Sequence, residues 1–211
     1  MAKQKDKIMQ TIEAYDMKTH ESLTRIRGAI PMMRFISSMI INMVGGLITF
    51  RNNPDTVTIY GSARLKQDSP YYQQAVALGK MLGNLNISII TGAGPGIMEA
   101  ANKGLMLAKE ENPDSTAISC GCNIILPFEQ KKNKYLTTSY QTDFFFVRKF
   151  LLRHTSKALV AFPGGFGTMD ELFESLTLIR TKSTKPMPTI LIGKEYWQGL
   201  IDYLSTTQVK H

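Results

Sequence analysis

Three closely spaced glycines between an apolar run and a helix-like segment constrain this chain more than any other feature. Residues 163–171 read Pro-Gly-Gly-Phe-Gly-Thr-Met-Asp-Glu and follow the strand-like run 158–162, Ala-Leu-Val-Ala-Phe. Glycines after a strand let the backbone turn sharply and bring its N–H groups close to a ligand. A helix starting at Thr168 would attract anions to its N-terminus. With Glu171 in its first turn, the segment predicts chemistry on a phosphorylated small molecule; a purely structural turn is the alternative.

A second glycine loop has the same arrangement. The β-rich run 87–91 is followed by Gly-Ala-Gly-Pro-Gly at 92–96, and residues 97–108 have helix-forming composition. Strand, glycine-rich turn and helix is an order that binds phosphate in nucleotide folds. The spacing G-x-G-x-G and the place after the second predicted strand do not fit a dinucleotide fingerprint, and the sequence contains no P-loop motif.

Strand-like and helix-like segments alternate over most of the chain. The predicted strands are 57–60, 87–91, 117–126, 158–162 and 189–192, and the predicted helices are 71–83, 96–109, 144–154, 168–180 and 195–204. This alternation predicts an α/β fold with a parallel sheet covered by helices on both faces. Ligands of such sheets bind at the carboxyl ends of the strands, so the loops at Gly61-Ser62, 92–96 and 164–168 should gather at one edge.

Composition and charge restrict the partners. The chain has 211 residues, 43% of them hydrophobic, and a formal net charge of +8, which favours anionic ligands. Basic residues are scattered, and neither an RNP-type aromatic motif nor zinc-finger spacing is present, so we predict no nucleic-acid partner. The turn-rich residues 52–56 predict a boundary between an N-terminal helical extension, 1–51, and a nucleotide-binding catalytic domain, 52–211.

The segment 28–50 is apolar enough to raise the question of a membrane span, since Arg34 is its one charged residue. Its apolar positions recur at spacings of three and four and include Met32, Phe35, Ile36, Met39, Ile40, Met43, Val44 and Leu47. That pattern, with a Gly45-Gly46 pair, favours a packing or oligomer-interface helix over a membrane helix. The start of the chain resembles no signal peptide, so the cytoplasm is the expected location.

The two cysteines, Cys120 and Cys122, are expected to be buried free thiols in a reducing compartment, since a C-x-C disulfide is strained. With three histidines in the chain, no ligand cluster for a metal is evident, and we predict no metal and no cofactor.

Several motifs, in order, resemble the LOG ("Lonely Guy") family. Residues 163–171 match its PGGxGTxxE motif, and Arg148-Lys149 match the pair that precedes it. Residues 91–104, Thr-Gly-Ala-Gly-Pro-Gly-Ile-Met-Glu-Ala-Ala-Asn-Lys-Gly, are similar to the family's TGGGPGIMEAANKG segment. The segments Tyr60-Gly-Ser-Ala-Arg64 and Leu126-Pro-Phe-Glu-Gln130 add to a resemblance that covers residues 57–204.

The resemblance implies a Rossmann-like fold, a homodimer or larger homo-oligomer, and a phosphoribohydrolase that converts a nucleoside 5′-monophosphate into free base and ribose 5-phosphate. The base is a cytokinin in some members and an ordinary purine or pyrimidine in others. The older label "lysine decarboxylase" finds no support here, because no lysine lies in an evident pyridoxal phosphate setting.

Arg148 and Glu171 are the predicted catalytic residues. An ionised Glu171 near C1′ would stabilise an oxocarbenium-like transition state and orient or deprotonate water. Arg148 would hold ribose or phosphate, or fix Glu171. The predicted substrate-binding and phosphate-binding residues are Gly61, Ser62, Gly92, Gly94, Gly96, Met98, Lys149, Gly164, Gly165, Gly167 and Thr168. His154 is a candidate proton donor, but a structural histidine at a helix end is the favoured interpretation.

A non-catalytic protein that binds a nucleotide or a molybdenum-cofactor-like ligand is the main alternative, and a nucleotide sensor is another. Arg148 and Glu171 are both present, which favours an enzyme. Ala93 replaces the middle glycine of the usual GGG and is expected to tighten the pocket. Asp170 stands where glutamate is frequent in the family.

Overall fold

The computed structural model describes residues 29–53, 55–125 and 131–208. These residues belong to two compact units, one ending at Asn42 and the other starting at Met43. The polar segment 1–27 and the segment Leu126–Gln130 lie outside the described residues. The predicted domain boundary after residue 51 stays a prediction.

Helices and strands alternate along the described chain. The helices are α1 (Ala29–Phe50), α2 (Pro70–Asn84), α3 (Ile97–Glu111), α4 (Phe145–His154), α5 (Phe166–Arg180) and α6 (Lys194–Tyr203), followed by a π-helical turn at Leu204–Gln208. The strands are β1 (Thr56–Tyr60), β2 (Ser88–Thr91), β3 (Ser119–Ile124), β4 (Thr138–Thr142), β5 (Ser156–Ala161) and β6 (Thr189–Leu191).

The described strands form one parallel sheet in the order β4-β3-β2-β1-β5-β6. The chain moves outward from β1 to β4, returns to pair β5 with the other side of β1, and ends at β6. The strand order therefore reverses between β1 and β5, where open α/β sheets bind their ligands. The predicted Rossmann-like α/β fold is confirmed.

Two hydrophobic layers cover the sheet, because alternate strand residues point to opposite faces. On one face Val57 and Ile59 of β1 meet α2 and α3. On the other face Tyr60 joins α4, α5 and α6, with Trp197 fully buried. The last turns of α1 belong to this second layer through Phe50.

Two elements differ from the sequence prediction. Strand β4, Thr-Ser-Tyr-Gln-Thr, is an edge strand with alternating exposure, and its polar composition did not predict a strand. Helix α5 begins at Phe166 and not at Thr168, because Gly165 already serves as its extended N-cap and its carbonyl accepts the Met169 N–H. Glu171 consequently lies in the second turn of α5 and not in the first.

Helix α1 confirms the predicted helix over most of residues 28–50. By length and composition its segment Ile30–Phe50 could cross a membrane, with a mean hydropathy of 1.5. Met43, Leu47 and Phe50 instead pack on the second layer of the α/β unit, as expected of a packing helix. For residues 29–42 the choice between packing, oligomer interface and membrane stays a prediction.

Glycines set the distance between α2 and α3, which pack closely. A Cβ atom on Gly79 would overlap the Ala101 carbonyl, and one on Gly104 would overlap the Val76 carbonyl. We expect Gly104→Ala to lower the free energy of unfolding by about 1–3 kcal/mol, because backbone cannot yield to an added methyl. Chemical denaturation measures the change.

Gly199→Ala is the matched control. No heavy atom lies within 4 Å of a Cβ placed on Gly199, an exposed residue of α6. Alanine should raise stability there by about 0.5–1 kcal/mol, since it is the better helix former. Equal effects of the two substitutions would contradict the close approach of α2 and α3.

Candidate active site

A cavity of about 460 Å³ lies at the carboxyl ends of β1 and β5, where the strand order reverses. It is lined by residues that follow these strands and by three helices: Gly61, Ser62, Ala63, Arg64, Met98, Ile124, Phe145, Arg148, Gly165, Phe166, Gly167, Thr168 and Glu171. The parallel sheet thus brings together chain segments that are more than 100 residues apart.

Backbone hydrogen bonds join the loops around this cavity. The Ser62 N–H donates to the Pro163 carbonyl over 3.0 Å, which ties the β1 loop to the glycine motif. The Ser62 carbonyl accepts from the Ile97 N–H, also over 3.0 Å, which ties the same loop to the start of α3. Gly96 precedes α3 with a φ of +68°, and a Cβ there would overlap the Ser62 carbonyl. The site is therefore closed at its base by main-chain contacts that require this glycine.

A buried ion pair forms the polar centre of the cavity. Arg148 Nη1 donates to Glu171 Oε1 over 2.6 Å, and the two side chains are 13% and 10% exposed. Arg148 Nε also donates to the Cys122 carbonyl at 3.0 Å. Helix α4 and strand β3 thus fix the guanidinium, and the guanidinium fixes one carboxylate oxygen.

Burial dominates the electrostatics of Glu171. Loss of hydration raises the pKa of its carboxyl above the ordinary value, while the charge and hydrogen bond of Arg148 oppose the rise. The helix dipole adds little to the stability of the charged form, since Glu171 lies beyond the first turn of α5, where that effect fades. Tyr60 lies close enough for the Glu171 charge to act on it, and burial followed by that charge raises the pKa of its phenol.

The backbone at Gly92 lies directly against the ion pair. A Cβ there would overlap Arg148 Nη2 and would lie 2.8 Å from Met98 Sδ. Gly92 therefore does not line the cavity; it leaves the space that the guanidinium occupies. Gly61, which does line the cavity, leaves space for the Ile97 side chain in the same way, because a Cβ there would lie 2.6 Å from Ile97 Cγ2.

Buried amides hold the second glycine loop. Asn102 Oδ1 accepts from Thr91 Oγ1 at 2.8 Å, and Asn102 Nδ2 donates to Ser119 Oγ at 2.8 Å. Asn133 Nδ2 donates to the Gly94 carbonyl at 3.1 Å, and the Asn133 N–H donates to the Ala93 carbonyl at 2.9 Å. The Gly94 carbonyl is therefore occupied by a hydrogen bond from Asn133 that holds the loop in place.

The methyl group of Ala93 does not face the cavity, which corrects the expectation that it tightens the pocket. Ala93 is fully buried, has a φ of +65°, and lies beside Gly121 of β3. A side chain at Gly121 would come within 2.7 Å of the Ala93 Cβ. Glycine in the neighbouring strand therefore accommodates the alanine of the loop.

The predicted site residues fall into three groups. Eight line the cavity: Gly61, Ser62, Met98, Arg148, Gly165, Gly167, Thr168 and Glu171. Four support it from behind or beside it: Gly92, Gly94, Gly96 and Gly164. Lys149 is outside the lining, because its ammonium pairs with Asp170 at 3.2 Å and Glu174 at 2.5 Å.

Sequence reasoning did not assign several lining residues. Phe166 is 96% exposed at the cavity mouth, and Phe145 is 48% exposed. Ala63, Arg64 and Ile124 complete the set. Phe166 is the variable position between the glycines of the motif, so the motif itself could have drawn attention to it. The Cys122 carbonyl, a backbone group, has no signature in the sequence.

The side chains of the other candidate groups are outside the cavity lining. Cys120 and Cys122 are buried free thiols as predicted, and burial raises the pKa of each to about 12. His154 ends α4 and stacks on Phe150 with ring centroids 4.8 Å apart, outside the cavity lining. Across residues 29–53, 55–125 and 131–208, no group of three His, Cys, Asp or Glu side chains could hold a metal.

Comparison with known proteins places this geometry in a family. The family model described as "Possible lysine decarboxylase" matches residues 98–211. The chain is 24% identical over 161 residues to the cytokinin riboside 5′-monophosphate phosphoribohydrolase of Rhodococcoides fascians, covering 76% of this chain and 79% of that protein. It is 28% identical over 162 residues to the pyrimidine/purine nucleotide 5′-monophosphate nucleosidase of Escherichia coli K12, covering 73% of this chain and 35% of that protein.

Solved structures show the same fold at lower identity. The molybdenum cofactor carrier protein of Chlamydomonas reinhardtii has a TM-score of 0.54 at 21% identity, over 74% of this chain and 86% of that one. The molybdenum cofactor binding protein of Rippkaea orientalis has a TM-score of 0.53 at 21% identity, over 74% and 88%. With the family model matching more than half of its residues, the chain belongs to the "possible lysine decarboxylase" family, the LOG family that its two glycine motifs resemble.

Proposed function

We propose that this protein hydrolyses the N-glycosidic bond of a nucleoside 5′-monophosphate to free base and ribose 5-phosphate. The observation that carries the proposal is the buried Arg148–Glu171 pair in a cavity that also contains the N-terminus of α5. One wall offers a fixed carboxylate, and another offers unpaired N–H groups for an anion. The relatives from Rhodococcoides fascians and Escherichia coli are both named for activity on 5′-monophosphates of this kind.

The start of α5 is suited to the 5′-phosphate. Its first N–H groups, at Phe166, Gly167 and Thr168, have no partner within the helix, and the helix dipole is positive there. No heavy atom lies within 4 Å of a Cβ placed on Gly165 or Gly167, so the space beside them is open to a ligand. A phosphate bound here satisfies N–H donors that would otherwise face water.

Glu171 is suited to act on the sugar. Breaking the bond between C1′ and the base nitrogen leaves its electron pair on the base and builds positive charge on the ribose. The ionised carboxylate stabilises that charge and accepts a proton from the water that attacks C1′. A raised pKa makes the carboxylate a stronger base than an ordinary glutamate, and Arg148 holds it in one orientation.

Apolar side chains complete the cavity for the base. Met98, Ile124, Phe145 and Phe166 present aliphatic and aromatic surface and no side-chain donors or acceptors that would select one base edge. An adenine or a cytokinin base fits this chemistry equally well. A homodimer and a cytoplasmic location stay predictions from the sequence.

Base release from a panel of nucleoside 5′-monophosphates, including AMP and isopentenyl-AMP, tests the proposal. We expect Glu171→Gln to lower kcat by about 10²–10⁴-fold, because it removes the negative charge while keeping the side-chain shape. Asp170→Asn is the matched control: that neighbouring carboxylate is 55% exposed and pairs with Lys149, so kcat should change little.

Release of no base from any nucleotide by the folded wild type would refute the proposal. Retained nucleotide binding in that case would support the non-catalytic carrier as the alternative function.

Gly92→Ala tests the geometry behind the ion pair. The added methyl would overlap the Arg148 guanidinium and displace it from Glu171, so kcat/KM should fall by at least about tenfold. Steady-state kinetics measure this, with Gly199→Ala as the control that adds the same methyl in open space. Unchanged kinetics in both variants would show that the observed Arg148 position is not needed.

The pH dependence follows from the pKa of Glu171. Because burial raises that pKa, carbon NMR of the carboxyl should give a midpoint above the ordinary glutamate value of about 4.5. Activity that needs the ionised form should be lost as pH falls through this midpoint. Arg148→Ala should move the midpoint higher, and Asp170→Asn should move it lower, since the first removes a positive and the second a negative charge. A midpoint below 4.5 would contradict the dominance of burial.

A further inference from the structure

A second cavity, of about 810 Å³, lies at the opposite edge of the sheet, at the amino ends of β1, β5 and β6. Its lining belongs entirely to the unit that starts at Met43. The lining consists of Leu47, Phe50, Arg51, Asn53, Asp55, Leu151, Arg153, His154, Thr155, Ser156, Lys157, Thr184, Lys185, Pro186 and Met187. None of these residues lines the candidate active site. We call it the basic cavity.

Positive charge is concentrated in the basic cavity. Its lining holds four cationic side chains, Arg51, Arg153, Lys157 and Lys185, and one carboxylate, Asp55, a formal surplus of three positive charges. Helices α1 and α4 end beside it, and a helix C-terminus carries roughly half a negative charge. These two dipole ends offset about one of the three charges. The cavity therefore keeps a net positive charge that the negative helix ends do not cancel.

Three of these four cations lack a polar partner within the described part of the chain. Arg51, Arg153 and Lys185 form no ion pair and no side-chain hydrogen bond with another described residue. Lys157 lies 3.7 Å from Asp55, and both side chains are more than two-thirds exposed. Within the described part of the chain, the buried Arg153 Nε and Thr155 Oγ1 also have no hydrogen-bond partner. By contrast, Arg148 and Lys149 are each held by carboxylates.

The remaining surface is mixed, with polar side chains from Asn53, Thr155, Ser156 and Thr184 beside an apolar wall. Leu47, Phe50, Leu151 and Met187 contribute aliphatic and aromatic area, and the His154 ring is held by its stack on Phe150. A volume of about 810 Å³ is within the range of small-molecule sites, about 300–1,000 Å³. A concave, cationic site of this size fits a compact anion better than an extended polymer.

We propose that the basic cavity binds a small molecule with two or more adjoining phosphoryl groups. Such a group carries about three negative charges at neutral pH, and the lining offers a formal surplus of three positive charges, about two once the helix ends are counted. An arginine fork binds phosphoryl oxygens in a bidentate manner, and the lysines add point charges. The apolar wall accommodates an uncharged part of the same ligand. The proposal is independent of the hydrolysis proposed for the other edge of the sheet.

Isothermal titration of the full chain with inorganic tripolyphosphate, pyrophosphate and orthophosphate tests this inference. We expect tripolyphosphate and pyrophosphate to bind at one site per chain and orthophosphate to bind at least tenfold more weakly. Arg153→Gln and, separately, Lys185→Gln should each raise Kd about tenfold or more, as expected for loss of a charge-assisted hydrogen bond. Lys185 is exposed, so its replacement keeps the test valid if Arg153→Gln fails to fold.

Two control variants locate the ligand. Lys80→Gln removes the same charge on α2, and Arg148→Ala alters the candidate active site; neither should change the affinity for tripolyphosphate. Loss of binding in Arg148→Ala with binding kept in Arg153→Gln and Lys185→Gln would place the anion in the other cavity and overturn the proposal. Equal weakening of tripolyphosphate binding in all four variants would indicate non-specific attraction and would also overturn the proposal. Failure of the folded wild type to bind tripolyphosphate would overturn it as well. Each of these results is independent of whether the protein releases a base.

Discussion

The buried pair between Arg148 and Glu171 is the interaction on which the organisation of the candidate site depends. Either charge alone would be strongly destabilising at this buried position, because the free-energy cost of losing its hydration exceeds the stabilisation that nearby backbone groups could provide. The pair persists because Arg148 also reaches the Cys122 carbonyl and because Glu171 is carried by a helix that packs on the sheet. The Arg148 guanidinium thereby links α5 and β3 and packs against the glycine loop at Gly92.

Missing side chains make this pair possible. Gly92 leaves the volume that the guanidinium fills, and Gly96 allows the Ser62 carbonyl to reach the start of α3. The same principle acts beside β3, where Gly121 leaves room for Ala93. The glycines of the two motifs therefore serve two different purposes. Gly165 and Gly167 open space toward a ligand, whereas Gly92 and Gly96 provide space for the protein itself.

The two edges of the sheet differ in how their charges are used. At the carboxyl edge the arginine and lysine of α4, Arg148 and Lys149, are neutralised by the carboxylates of α5. At the amino edge the last turn of the same helix carries Arg153, whose guanidinium has no carboxylate partner among the described residues. Within the described part of the chain, the cations of α4 are therefore paired with carboxylates beside the candidate active site and unpaired at the basic cavity.

The sequence by itself determined the alternating α/β order, the parallel sheet and the glycine loops at one edge, because periodicity and glycine spacing are local properties of the chain. The glycine motif also indicated Glu171, whereas Arg148 was implied by the resemblance to the LOG family. It did not reveal the edge strand β4, whose polar residues depend on a neighbouring strand for their pairing. Only the tertiary structure decided that burial raises the pKa of Glu171 and that Lys149 is engaged by Asp170 and Glu174. It also decided that the Ala93 methyl faces β3. Hydration, charge pairing and the direction of a methyl group are set by residues distant in sequence, so no local pattern contains them.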